Sequence, residues 1–411
     1  MRRVAVTGIG VVCPLGHTLS EVFDNARAGR SAIRKLDIAG AHRLIAPLAA
    51  TVNFDAAEHF EPPRQRLLDR VSHFAVVAAN RAFADAACAL TPAERGCAGV
   101  FVGTGMGGSQ SMDDGYQTLY GEQSNRIKPM LILQGMHNAP AAWIGIEHGL
   151  LGPNLTYSTA CSSSSVAIGE AWLRVAHGML DVAIAGGAEA PLSLGSLKAW
   201  EAMHTLARED ADDPATSCKP FSKNRSGMVL GEGAALVVLE PWERALARGA
   251  AIHGELIGYG LSTDTGHITR PGVDGQAAAI IAALTSAGIR AEEVDAINAH
   301  GTGTLANDSV ETAAIKRVFG ARASRIPISA TKAVHGHLLG ATGALEFVLS
   351  LLAMKNDVAL PTMHLQLPDP ECDLDYVPNA ARVGAAGNTM LSNSFAFGGT
   401  NAVLALRAAG G

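Results

Sequence analysis

The sequence predicts an α/β protein with buried sheets, on three observations. Short apolar, β-rich runs alternate with helix-period segments along the whole chain. After "WERALARGAAI" the alternation starts again, so two similar halves follow one another. With 48% hydrophobic residues, 17% charged and 45 glycines, the composition is that of a well-packed, turn-rich enzyme rather than a disordered or fibrous chain. A chain of 411 residues suffices for one large core or two fused halves.

In the first half the strand-like runs are "RRVAVTGIGVV", "CAGVFVGTG", "NLTYSTA", "VAIAGGAEA" and "AALVVLEP". In the second half come "GELIGYGLS", the helical "GQAAAIIAALTSAGI", "VDAINAHGTGT", the helical "SVETAAIKRVFG", "PISATKAVHGH", the helical "ALEFVLSLLAM" and "NTMLSNSFAFGGTNAVLALR". The division falls near Arg248, giving halves 1–248 and 249–411. No Pro/Ser-rich linker separates them, so they are expected to share an interface. The repeat reads as architectural, because no residue-level period is evident.

Net charge is −6 and no basic stripe is interleaved with aromatics, which argues against a nucleic-acid binder. An acidic macromolecular partner would need a local basic patch. Six scattered cysteines (Cys13, Cys88, Cys97, Cys161, Cys218, Cys372) form no CxxC pair. That fits a reducing cytoplasm and speaks against a zinc site or disulfide framework. The start "MRRVAVTGIGVVCPLG" has two arginines before an apolar run but no small-residue cleavage motif; Val4, Val6 and Ile9 read as a core strand. No apolar stretch reaches the ~18 residues of a membrane span.

One stretch concentrates the chemistry: "TYSTACSSSSVAIGEAW". Ile168, Ala171, Trp172 and Val175 fall on one face of a buried helix closed by Gly178, and Leu155 to Thr159 read as a short strand. Cys161 is therefore expected on a strand-to-helix turn, where unpaired N–H groups and the helix dipole favour a thiolate and lower its pKa. Nucleophile and buried structural cysteine both remain open readings of this stretch. "GTGMGG" (Gly103, Gly105, Gly108) matches a dinucleotide fingerprint, but the next segment, "SQSMDDGYQTLYGEQSN", is polar and poorly periodic. The motif reads instead as a turn that lets backbone approach something closely.

Three further glycine-rich loops carry unusual polar residues: "NAHGTGT" from Asn298, "ATKAVHGHLLGATG" from Ala330 and "NSFAFGGTN" from Asn393. They bring His300, His335 and His337 to strand ends, where α/β proteins build sites. A zinc reading of His335 and His337 fails, since the loop has no carboxylate and Lys332 adds a positive charge.

In this order and spacing, "STACSSS", "NAHGTGT", "SATK…HGHLLGATG" and "NSFAFGGTN" resemble the β-ketoacyl-[acyl carrier protein] synthases, most closely the synthase II type. The resemblance runs from "VAVTGIGVVCPLG" to "GGTNAVLAL". It implies a thiolase-like fold, a five-layered αβαβα sandwich of two similar halves, as a homodimer, with acyl carrier protein as partner and no cofactor or metal. Cys161 matches the acyl-accepting nucleophile, and His300 and His337 match the two catalytic histidines. Lys332 and Glu346 match an ion pair that organises the site. Asp308 and Glu311 match acidic residues bracing the NAHGT loop. Phe397 matches the gating phenylalanine, with Cys161 supplies the oxyanion-hole N–H groups, and with Gly398 is expected to bind substrate. Thr302 and Thr304 match the threonines contacting the phosphopantetheine arm.

The implied activity is decarboxylative condensation of an acyl group with malonyl carrier protein, giving a 3-oxoacyl product in fatty acid elongation. The alternatives are a specialised polyene or polyketide pathway, or a non-catalytic carrier-binding partner. Arg64, Arg66, Arg70, Arg126 and Lys128 form the expected basic docking patch. Two features depart from the synthase II pattern. His335 stands where threonine is commoner, and "SLGSLKAWEAMHTLA", expected near the acyl pocket, differs in length and bulk. A thiolase would need a cysteine after Cys372, a synthase III would use Cys–His–Asn, and a chain-length factor would lack Cys161.

Overall fold

The computed structural model describes residues 1–410. Ten strands carry the architecture: β1 (Val4–Val12), β2 (Ala98–Gly103), β3 (Asn154–Tyr157), β4 (Val182–Glu189), β5 (Gly233–Pro241), β6 (Gly254–Thr263), β7 (Ala296–Asn298), β8 (Ile328–Ser329), β9 (Thr389–Phe395) and β10 (Thr400–Arg407). Their spatial order is β3-β2-β4-β5-β1-β6-β10-β9-β7-β8. Each set of five thus repeats one topology: third, second, fourth, fifth, first. In both sets the fifth strand runs antiparallel to its two neighbours and the rest are parallel. The halves join where Val4, Ala5 and Val6 pair antiparallel with Leu256, Glu255 and Gly254.

Five helices fix the layers: α1 (Arg70–Asp85), α2 (Ser163–Ala176), α3 (Val273–Ala287), α4 (Leu305–Phe319) and α5 (Thr342–Asn356). Helix α1 packs on β1 and β5, and α3 on β6 and β10, as outer layers. Helices α2 and α5 pack on each other between the two sheets. The result is the five-layered αβαβα sandwich. All nine residues of β1 and of β5 are buried, because each sheet is covered on both faces, and so they read as continuous apolar runs rather than alternating ones.

The structure corrects one expectation, that no repeat survives at residue level. Gly8 and Gly10 of β1 face α1: a Cβ on either would stand 2.1 Å from the Ala82 oxygen or 1.9 Å from that of Ala78. Gly258 and Gly260 of β6 face α3 in the same way, 2.7 Å from the Ala283 oxygen and 2.1 Å from that of Ala279. The first strand of each half is a G-x-G strand on an alanine-surfaced helix, which brings helix and sheet backbones into contact. No helix among the described residues is long and apolar enough to cross a membrane.

Candidate active site

The site gathers at the N-terminal ends of α2 and α5, which the sandwich brings side by side. Ala160 opens a short 3₁₀ turn before α2 with φ +51°, and Leu339 opens the corresponding turn before α5 with φ +45°. Both are non-glycine residues in the left-handed region, a strained choice that surrounding contacts must hold. The Ala344 N–H donates to Ser164 Oγ (2.9 Å), and Ser165 and Ser394 share a hydroxyl contact of 2.8 Å. The serines after Cys161 therefore bind the halves to each other as well as starting a helix.

Cys161, His300 and His337 are all buried, and one ligand atom from each lies within 4.8 Å of the other two. The imidazole centroids are 5.5 Å apart with the rings nearly perpendicular (81°). The Leu339 N–H donates to His337 Nδ1 (3.2 Å), and Thr342 Oγ1 lies 2.8 Å from the same atom. Accepting at Nδ1 puts the ring proton on Nε2, which is buried and unpartnered. It is a spare donor. Burial, then the neighbouring Lys332 charge, holds both imidazoles well below the usual histidine range, so they are neutral.

The thiol departs from the sequence expectation. Burial pushes Cys161 up to about 11, while Lys332 and the backbone amides of Phe397 and Cys161 itself pull the other way. Full burial outweighs the favourable N–H groups. The resting sulfur is a protonated thiol with two neutral imidazoles within reach.

The braces are dense. The His300 and Gly301 N–H groups donate to Glu311 Oε1 and Oε2 (2.8 and 2.9 Å), and Asn393 Nδ2 donates to Glu311 Oε1 (3.2 Å). Asp308 accepts from the Phe221 N–H (2.7 Å) and the Gly303 N–H (3.3 Å); burial pushes it up to about 6. Lys332 donates to the His300 carbonyl and to Glu346 Oε1 (2.7 Å), with both charged groups buried. Thr302 and Thr304 hydroxyls lie 2.9 Å apart and line a cavity of about 250 Å³ with Cys161, His300, His337 and Phe397. Gly398 is exposed at its rim, its N–H donating to the Ile268 carbonyl (2.8 Å).

His335 does not join them. Its Nδ1 lies 2.7 Å from the Gly336 carbonyl and its Nε2 3.0 Å from Thr331 Oγ1, so both nitrogens are occupied away from the cavity. Gly336, at φ +69°, turns the chain between the two histidines. The docking residues divide as well. Arg70 is bidentate to Glu232 (2.8 and 2.6 Å), and Arg64 pairs with Glu147. These two are corrected out of a free basic patch, because the fold sets a carboxylate beside each. Arg66, Arg126 and Lys128 are exposed, have no ion-pair partner among the described residues, and line one recess of about 740 Å³.

Two participants escaped the sequence reading, and a third, Trp200, lies in the segment it placed near the acyl pocket. Trp200 stacks on Phe397 (6.0 Å, 22°), and with Met203 and Thr205 at the cavity wall it puts the "SLGSLKAWEAMHTLA" segment against Phe397. Arg270 is the one cation lining the cavity among the described residues. Glu189 ends β4 and is fully buried; a charge closing the apolar run "VAIAGGAE" was its only signal. Asn298 Oδ1, Glu346 Oε2, Ser392 Oγ and Asn393 Oδ1 are buried without partners, and Asn298 and Ser392 are register partners in the sheet.

Residues 1–245 match the family model described as "Beta-ketoacyl synthase, N-terminal domain", and residues 253–366 match its C-terminal domain. The chain belongs to the beta-ketoacyl synthase family. It is 42% identical over 406 residues to "Nodulation protein E" of Rhizobium meliloti (strain 1021), with 99% of each chain covered. It is 42% identical over 418 residues to "3-oxoacyl-[acyl-carrier-protein] synthase 2" of the same strain, again at 99% of each. Among solved structures it resembles "AntDE:AntF (apo): type II PKS acyl-carrier protein in complex with its ketosynthase bound to the hexaketide", with TM-score 0.90, 31% identity and 99% of each chain covered. The fold is thus thiolase-like, as the motifs implied.

Proposed function

We propose that the chain condenses an acyl group with malonyl-[acyl carrier protein] to give 3-oxoacyl-[acyl carrier protein], CO2 and free carrier protein, in fatty acid chain elongation. The observation that carries this reading is the meeting of a buried thiol with two neutral imidazoles, one holding a spare N–H donor. Cys161 gives its proton to a neighbouring imidazole as it takes the acyl group from a carrier thioester, and that imidazole passes the proton to the departing carrier thiolate, so both rings are neutral again. The Cys161 and Phe397 N–H groups hold the oxyanion. The malonyl thioester then enters along Thr302 and Thr304 with its carbonyl oxygen between His300 and His337. Loss of CO2 leaves an enolate on that oxygen, which neutral N–H donors stabilise without a proton transfer. The carbanion attacks the acyl-cysteine, the C–S bond breaks, and the released Cys161 thiolate takes up one proton from water to regenerate the thiol. Lys332 and Glu346 hold the His300 loop rather than move protons.

In this reading residues 1–248 carry the nucleophile and residues 249–411 the enolate donors. A homodimer is supported by β3, which ends its sheet with an unpaired edge, and by exposed apolar residues that include Tyr120, Ile132, Leu133, Ile146 and Leu151. Six free cysteines, four of them buried, support a reducing cytoplasm. Arg66, Arg126 and Lys128 would meet the acidic carrier.

Mass spectrometry after incubation with an acyl carrier thioester tests the reading: an acyl adduct on Cys161 is expected, and none forms if the chain is a non-catalytic partner. Trp200 stacked on the gate favours one second reading, a specialised acyl substrate. Products from carriers of graded chain length decide between the two pathways. Reversing Arg66 and Lys128 to glutamate raises KM for the carrier protein far more than for a short pantetheine thioester, since rim charges act through encounter with the macromolecule. Equal changes for both substrates sink the docking patch.

A further inference from the structure

We propose that Glu189 is a positioning residue: from the N-terminal half it clamps the loop carrying His337, and so sets the direction of that imidazole's N–H donor. The inference rests on the condensing activity proposed above. Glu189 Oε1 accepts from Thr104 Oγ1 and the Met106 N–H, each at 3.0 Å. Its Oε2 accepts from the Gly105 N–H (2.6 Å) and the Gly340 N–H (2.9 Å). Three of these donors come from the "GTGMGG" turn and the fourth from "GHLLGATG", so one carboxylate spans two loops of different halves. The approach is as close as backbone allows: a Cβ on Gly340 would stand 2.4 Å from the Gly105 nitrogen.

Gly340 follows Leu339, whose N–H fixes the His337 tautomer and whose φ is strained. Losing the Glu189–Gly340 bond frees that strained turn to relax. Relaxation would withdraw the Leu339 N–H from Nδ1 and turn the Nε2–H away from the enolate oxygen. A second observation gives the same role to the equivalent place in the other half. There Glu311 accepts the N–H groups of His300 and Gly301, on the loop after the second strand of its sheet. The "GTGMGG" turn follows the second strand of the first sheet and is held by Glu189 in the same fashion. Each glycine loop is held by buried carboxylate, Glu189 in the first half and Glu311, joined by Asp308 at Gly303, in the second. Glu189 has no ion-pair partner among the described residues, and burial pushes it up to about 7. A buried charge kept without a cation is costly.

Two half-reactions measured separately test the assignment: acyl transfer to Cys161 by mass, and CO2 release from malonyl carrier protein. Glu189→Gln keeps the size but turns an amide N–H toward backbone N–H groups. CO2 release is expected to fall at least ~10-fold, the effect of a misdirected oxyanion donor, while acyl transfer changes less than about threefold. Glu189→Asp, still an acceptor, recovers part of the CO2 release. Parallel loss of both half-reactions would make Glu189 a merely structural residue and overturn the proposal, as would unchanged CO2 release. Should Glu189→Gln fail to fold, Thr104→Val removes one of the four donors and is expected to lower CO2 release selectively; an unselective loss overturns the proposal equally. If the unaltered enzyme releases no CO2 at all, the condensing activity itself falls, an outcome distinguishable from either result for Glu189.

Discussion

The two halves share a strand order and even a G-x-G first strand, yet the proposed mechanism asks different chemistry of them. The connection from the third strand to the central helix shows why. In the N-terminal half it runs from β3 through a 3₁₀ turn opened by Ala160 into α2; in the C-terminal half it runs from β8 through a turn opened by Leu339 into α5. Cys161 and Gly340 hold equivalent places in these turns. In the proposed mechanism the first is the nucleophile. The other has no side chain, and its backbone presses against Gly105 and Glu189 instead. The second-strand loops differ in the opposite sense: "NAHGTGT" carries His300, while "GTGMGG" carries no side chain into the cavity. The repeated scaffold fixes where side chains converge, and in the proposed mechanism single residues in matched loops decide which half supplies the nucleophile and which the donors.

The sharpest way to break this division is Cys161→Ala. Loss of the sole nucleophile is expected to reduce condensation by ~10⁴-fold or more, with melting temperature nearly unchanged because alanine suits the turn. A variant that still elongates acyl chains near the original rate would move the nucleophile elsewhere. Next in size is His337→Ala, expected to slow CO2 release from malonyl carrier protein ~100-fold, the usual loss for one oxyanion donor.

Thiol titration sharpens the contrast between burial and helix-terminus electrostatics. With Cys161 raised to about 11 by burial, the thiolate fraction at neutral pH is small and grows as pH rises toward that value. Alkylation of Cys161 by iodoacetamide is therefore expected to accelerate about tenfold per pH unit from pH 7 to about 10. A plateau below pH 9 would show that the amides and Lys332 outweigh burial. The smallest effect is His335→Thr. Both its nitrogens are occupied outside the cavity, so CO2 release should fall less than ~10-fold, or ~1.4 kcal/mol. A severe loss there with a mild one in His337→Ala would exchange the two roles.

Much of this is legible in the sequence alone. Alternating apolar runs specify an α/β sandwich because strands buried on both faces must be apolar throughout. Cys161 before an amphipathic helix, and histidines in glycine loops, mark strand ends where side chains can converge. These are local properties, and sequence carries them. What only tertiary structure decided depends on residues far apart in the chain. Arg70 and Arg64 look like free surface charges until the fold sets Glu232 and Glu147 beside them. His335 and His337 are chemically alike, and only the turn at Gly336 and the partners at Thr331 and Leu339 separate a satisfied ring from one with a spare donor. The Cys161 pKa depends on burial, a property of every neighbouring element, which outweighed the helix N-terminus that sequence could see. Glu189 is read from sequence as a charge ending a strand. Its role exists only because two glycine loops, more than 230 positions apart, meet on one carboxylate.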